Sequence, residues 1–393
     1  MGPSDTVRRP VLVDSLSYVV GRANPTLLGR NPSRTAAAPG IVASAIFMPP
    51  TGFFAARLGR KRVFLVSVFG FTVASMLCGA ATSLPEMVLF RLLQGIFGAA
   101  LIPLSQAVLL DSFPPAKHGA AMALWGVGVM VGPIAGPTLG GWLTDAYSWR
   151  WVFYVNLPVG VLTFLGILWF VPETKRDTSR RFDALGFVLL SVTIGALQMM
   201  LDRGESQGWF SSLEVIVEAS LGVGAAYLFV VHTFTTDHPF LDPKMFADRN
   251  FFTGLLFMFL IGVILLASLA LLPPFLQNLM GYPVLDTGFL LAPRGIGTMV
   301  SMVIVGRIIG KVDTRLMILV GLVLIVISLW EMTAFNANIG AGAIVWTGVV
   351  QGLGLGLVFV PLSTISFTTL NPRYRTDAAG IFSLVRNIGS SIG

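Results

Sequence analysis

Three arginines, Arg91, Arg294 and Arg386, stand inside long apolar runs of this 393-residue chain. A guanidinium in such surroundings is costly to leave bare; it marks a cavity, a partner group or a route to a polar surface. Four glycines, Gly128, Gly132, Gly136 and Gly140, recur every four residues and line one helix face. Small residues at that spacing let a second backbone approach closely. Pro133 and Pro137, set between them, remove backbone donors and bend the helix, and Gly141 closes the run. The segment from Gly52 to Arg62 gathers Arg57, Arg60, Lys61 and Arg62 around Gly59. Gln106, Trp125, Arg294 and Gln351, with Phe47, Met48, Gln198 and Gln277, are candidates to line an apolar cavity that has few polar anchors. His118, His232 and His238 show no metal-ligand spacing, and Cys78 is the single cysteine. With no nucleophile motif or phosphate-binding loop either, the chain reads neither as an enzyme nor as the holder of a metal or cofactor.

The elements that must position these residues follow from composition. Hydrophobic residues make up 54% of the chain and charged ones 11%, against about 25% charged in a typical soluble domain. So few charges cannot cover that apolar surface in water, whereas a bilayer accepts it. The 43 glycines and 23 prolines fit membrane helices, which tolerate both. The fold class is therefore an all-α polytopic membrane protein. Apolar runs long enough to cross lie near 41–57, 63–82, 86–110, 119–141, 151–171, 184–201, 214–234, 251–278, 286–309, 316–334 and 342–370, and a twelfth begins near Ala378.

Charge tests the alternation of these spans. Loops expected on one side carry Arg57, Arg60, Lys61, Arg62, Lys117, Lys175, Arg176, Arg180, Arg181, Lys244, Arg249, Arg307, Lys311, Arg315, Arg373 and Arg375. The opposite loops carry Arg150 and Arg203, so the split of 16 to 2 places the first set in the cytoplasm. This distribution also accounts for the formal charge of +7 without any nucleic-acid partner. Residues 1–40 break the pattern: five arginines, Asp14 and several prolines cannot cross as one helix. That segment is expected to be disordered or not to be the native start.

The chain also repeats itself. Gln94-Gly95 followed by Pro103-Leu104-Ser105 returns as Gln351-Gly352 followed by Pro361-Leu362-Ser363, and Gly52–Arg62 matches Gly306–Arg315. The separation is about 255 residues. Parallel halves related by an axis along the membrane normal are a transporter architecture, with the substrate site near the midplane between them.

On these residues the chain resembles the fourteen-span drug:proton antiporters of the major facilitator superfamily, EmrB/QacA type. The resemblance runs from about residue 41 to the end. It is carried by GFFAARLGRKR (Gly52–Arg62), RLLQGIFGAALIPLSQ (Arg91–Gln106), GPIAGPTLGG (Gly132–Gly141), SWRWVFYVNLPVG (Ser148–Gly160) and LDRGESQGWFSS (Leu201–Ser212). It implies two helical bundles related by a pseudo-two-fold, with two inserted helices between them. Residues 41–171 would then be the N-terminal bundle (family helices two to six), 172–250 the inserted pair with its flanking cytoplasmic loops, and 251–393 a C-terminal bundle cut off in family helix thirteen. The family's first helix, with its aspartate, would lie outside this chain.

The resemblance further implies roles. Arg91, Gln94 and Gly95 would serve coupling, Gly132 to Gly141 a pliant seam that gates the cavity, and Gly52 to Arg62 a cytoplasmic gating loop. Family members carry an acid where Ala56 or Arg57 stands here, and Asp313 in the matching loop is a candidate replacement partner. The implied partners are the bilayer, hydrophobic small molecules and protons, with a periplasmic adaptor and an outer-membrane channel beyond the bacterial inner membrane. Two functional readings stand: a secondary exporter of hydrophobic drugs or other toxic small molecules, and a truncated relative that sits in the membrane without transporting.

Overall fold

In a computed structural model, the described residues are 32–114, 117–174, 176 and 181–392. They are almost wholly helical. Among them nine helices are long and apolar enough to cross a membrane, or ten if one bent pair counts as a single span. Each of the eleven apolar runs is mainly helical, those at 41–57, 86–110 and 151–171 as two helices in succession, and the twelfth is helical as well.

The first half holds α1 (Pro32–Phe47), α2 (Thr51–Leu58), α3 (Arg60–Ala80), α4 (Leu84–Gly98), α5 (Leu101–Ser112), α6 (His118–Ala146), α7 (Trp151–Tyr154) and α8 (Asn156–Phe170). Helix α1 starts at Pro32, because the alanine-rich stretch after it favours helix. Residues 1–31 of the atypical segment lie outside the described residues. Between α1 and α2 the chain bends by 56°. The cause is Pro49-Pro50, which supplies no backbone N–H to the preceding turn. Thr51 partly replaces the loss by donating its hydroxyl to the Phe47 carbonyl (3.2 Å). A milder break separates α4 from α5, where Pro103 withholds the donor due to Ala99.

Helices α9 (Ala184–Gln207) and α10 (Leu213–Thr235) form an antiparallel hairpin, and α9 packs on α1 and α15. The second half follows as α11 (Arg249–Pro274), α12 (Val284–Ile308), α13 (Thr314–Met332), α14 (Ala341–Thr368) and α15 (Arg375–Ile392). Helix starts are capped as the residue types predict. Ser83 caps α4, Asp183 caps α9, Asp248 caps α11 and Asp313 caps α13. The main apolar core joins the halves, running from Ala45, Leu110 and Met122 to Phe251, Met302, Phe367 and Phe382.

The internal repeat is visible in the packing. A methyl group on Gly95 would strike the Gly40 carbonyl oxygen, and one on Gly352 would strike that of Arg294. Gly40 in turn lies against Arg91 and Gly348 against Arg294, so arginine and glycine have exchanged helices between the two copies. Gly59 and Gly310, in the matching loops, both take positive φ (95° and 89°), which glycine adopts without steric cost.

Candidate functional site

Each half sets one arginine and one glutamine inside its helices. In the first, Arg91 donates to Gln94 Oε1 (3.1 Å) and lies over the Phe153 ring, 4.6 Å from its centroid. Both side chains therefore point into the first half, among α3, α4 and α7. In the second, Arg294 is 7% exposed, and its guanidinium reaches the Leu265 carbonyl at 3.5 Å. Gln351 beside it is fully buried and donates to Ser268 (3.0 Å), while its own carbonyl oxygen has no partner among the described residues. A buried amide left half-satisfied is a natural contact point for a polar group on a ligand.

The seam between halves is made by α6 against α12. Near the basic loops the contact is tight. A Cβ on Gly306 would lie 2.7 Å from the Ala123 methyl, one on Gly126 2.8 Å from Met302 Sδ, and one on Gly119 2.5 Å from Ile309. Further along α6 the expected close approach is absent. Cβ atoms on Gly128, Gly132 and Gly136 would meet nothing within 4 Å among the described residues, and Gly140 only Val152 at 4.0 Å. From Gly128 to Gly136 the glycine face is an open surface here, while Gly140 is buried. The helices diverge with distance from the basic end. Pro133, Pro137 and Gly141 lie within the helix, but their side chains fall outside the described set. Close glycine packing occurs instead at Gly348, Gly352 and Gly356, where α14 meets α12, a stripe of the same spacing that sequence reasoning passed over.

Trp125 bridges the halves at the start of the opening. Its indole donates to Ser105 (2.9 Å) and stacks on Phe359 with centroids 6.1 Å apart and planes 9° off parallel. Gln106 is buried on α5, its side-chain carbonyl oxygen without a partner among the described residues. The other lining candidates scatter. Phe47 meets Phe187 edge-on, Met48 accepts from Asn387 on α15 (3.7 Å), Gln198 binds Asp202 (3.1 Å), and Gln277 is half-buried in the π-helical turn Phe275–Leu279 that follows α11.

At the basic end, the loop from Gly52 to Arg62 is tied down in two ways. Lys61 donates to the Leu168 carbonyl (2.7 Å) and Arg62 approaches Glu173 (3.7 Å), both within the first half. Arg57 lies over Phe53 at 5.9 Å. Arg60 forms an ion pair with Asp111 at the end of α5, and the same carboxylate binds Arg375 of the second half (2.8 Å). Asp313 accepts from the Arg315 N–H as the cap of its own helix (2.9 Å). Sequence reasoning missed Asp111, whose only signal was an acid ending an apolar helix, and Asp377 at the start of α15.

Beside α9, Asp183 accepts from Gly186 N–H (2.9 Å), His232 Nε2 (2.9 Å) and Phe240 N–H (3.0 Å). Burial alone would raise this carboxyl, but these bonds outweigh it and hold it below the usual carboxylate range.

Comparison with known proteins then aligns with this geometry. The model of the Major Facilitator Superfamily matches residues 33–393. Over 354 residues the chain is 38% identical to "Multidrug export protein EmrB" of Escherichia coli (strain K12), covering 90% of this chain and 69% of that protein. It is 36% identical over 354 residues to "Fatty acid resistance protein FarB" of Neisseria gonorrhoeae, covering 90% and 70%. Among solved structures, the human organic anion transporter MFSD10 (TETRAN) superposes with a TM-score of 0.66 at 18% identity, over 97% of this chain and 81% of that one. The proton:xylose symporter XylE gives 0.67 at 15%, over 97% and 82%. At those identities the likeness concerns the fold.

Proposed function

The chain belongs to the major facilitator superfamily and is closely related to EmrB multidrug export proteins, and on that premise we propose that it exports hydrophobic toxic small molecules by proton antiport. The observation that carries the reading is the divergence of α6 from α12. Closed at Gly119, Ala123 and Gly126 and open along Gly128, Gly132 and Gly136, the seam has the form required of one state of alternating access. The basic loops place the closed end in the cytoplasm, so this state faces outward.

In this reading α9 and α10 are a pair inserted between two bundles, 41–171 and 251–393. The space between the bundles, flanked by Gln106, Trp125, Arg294 and Gln351, takes the substrate. Arg91, Gln94 and Gly95 belong to coupling. The glycine face from Gly132 to Gly141 is the surface against which α12 closes when the site turns inward. In the bacterial inner membrane the cargo would pass to a periplasmic adaptor and an outer-membrane channel.

The test is ethidium efflux from a pump-deficient bacterial host, with and without an uncoupler. Export abolished by the uncoupler is the expected result. Export that survives the uncoupler overturns proton antiport. Dye retention equal to that of the empty host overturns export, and supports the transport-defective alternative. That alternative draws on one observation: among the described residues, acidic side chains lie close to helix ends rather than at mid-membrane.

A further inference from the structure

Two helix crossings close the basic end, and the repeat makes them counterparts. At one, Gly52 on α2 faces α15; at the other, Gly306 on α12 faces α6. Their chemistry differs. At the second crossing Gly306 meets Ala120 and Ala123. Next to it lies a cavity of about 490 Å³ bordered by Gly119, Asn250, Gly310, Asp313, Arg315 and Thr368. Among the described residues no ion pair joins the halves there. At the first crossing four charges converge: Arg60 and Asp111 from the first half, Arg375 and Asp377 from the second.

Asp377 is 5% exposed and lies in the first turn of α15. A Cβ added to Gly52 would collide with its carboxylate and would come within 2.9 Å of its backbone nitrogen. Arg60 lies in the electrostatic field of both Arg375 and Asp377. The Asp111 carboxylate alone serves two arginines, which would leave a positive excess where the halves must touch. Asp377 balances it, two against two, and its place at a helix N-terminus stabilises its negative charge.

We infer that Asp377 is a positioning residue of this crossing: pressed against Gly52, it supplies from the second half the carboxylate that α2 lacks, and so latches the basic end shut. The inference rests on the alternating-access reading. Ala56 stands one helical turn beyond Gly52 on α2, four residues on and hence on the same face. A carboxylate placed there would return the charge to the first half of the same crossing. The latch is thus expected to survive relocation of the charge but not its removal.

The test measures conformation rather than export, so that its failure and failure of the substrate reading are distinguishable. In a Cys78→Ala background, Ala107→Cys places a thiol at a fully buried position on α5. Labelling by a membrane-impermeant maleimide is followed in inside-out vesicles holding the full chain. Asp377→Asn is expected to raise the labelling rate about tenfold (roughly 1.4 kcal/mol), and adding Ala56→Asp to restore the original rate. Asp377→Glu is expected to stay near the original rate. An unchanged rate in Asp377→Asn, or no recovery in the double variant, overturns the inference. If Asp377→Asn does not reach the membrane, Ala56→Asp alone decides: slower labelling supports the latch, and an unchanged or faster rate overturns it.

Discussion

Gly352 rests so closely on the Arg294 carbonyl that a single methyl group would run into it, with the Thr298 nitrogen also only 2.9 Å away. Helices α12 and α14 are pinned together at this point, and little can yield because the obstructing atoms are backbone. Gly352→Ala is therefore expected to destabilise the protein by about 1–3 kcal/mol, the usual range for overpacking. A thermal melt in detergent reads this as a lowered Tm.

Gly132 is the counter-example. With nothing within 4 Å of an added Cβ among the described residues, Gly132→Ala is expected to leave Tm unchanged. Gly132→Leu, which obstructs closure of α12 onto the glycine face, is expected to slow efflux without loss of folded protein. Equal efflux by both variants and the parent chain would remove the gating role from that face.

Arg294 carries a charge where hydrocarbon would be cheaper. Its hydrogen bond to Leu265 is long at 3.5 Å, and 93% of its surface is hidden when 7% is exposed. Arg294→Met keeps the volume and removes the desolvation cost, so Tm is expected to hold or rise. If the arginine serves transport, efflux falls in the same variant. A lower Tm together with unchanged efflux would show the residue to be structural.

Asp183 gives a dependence on pH. Its carboxyl titrates below the ordinary 3.8 in the folded chain. Its contribution is thus present in full above that value and is lost as pH falls through the lower folded one. Asp183→Asn is expected to reduce Tm at pH 7, with the gap to the parent chain narrowing below about pH 4. A gap independent of pH would mean that the loss is one of packing rather than of charge.

Most of the fold was legible in sequence because a spanning helix needs only an apolar run, and these runs became helical even where a break divides them, as at 41–57 and 86–110. The repeat was legible for a related reason: Gln94-Gly95 and Gln351-Gly352 make the same backbone contact, so the same residues recur. Local features also read well, as Asp183 and Asp248 at helix starts illustrate. What failed was pairing across helices. Periodicity placed Gly128, Gly132 and Gly136 on one face but could not say that α12 leaves that face in this state. Nor could spacing connect Asp111 with Arg375, which lie 264 residues apart. Arg91 shows the same limit. Its depth in the span was readable, but its direction, toward Phe153 rather than the opening between halves, depends on how α4 is rotated.

The break at Pro49-Pro50 has a mechanical consequence. Neither proline can donate, so the carbonyls of Ala45 and Ile46 have no helical bond to lose if the angle between α1 and α2 changes. The joint works as a fulcrum rather than a spring. It also sits where leverage counts: Gly380 of α15 comes within 2.9 Å of the Met48 carbonyl, measured to an added Cβ. The arm beyond it, α2, carries Gly52 to its contact with Asp377. A tilt of this one short arm would engage or free the other half, while α1 kept its seat on α4.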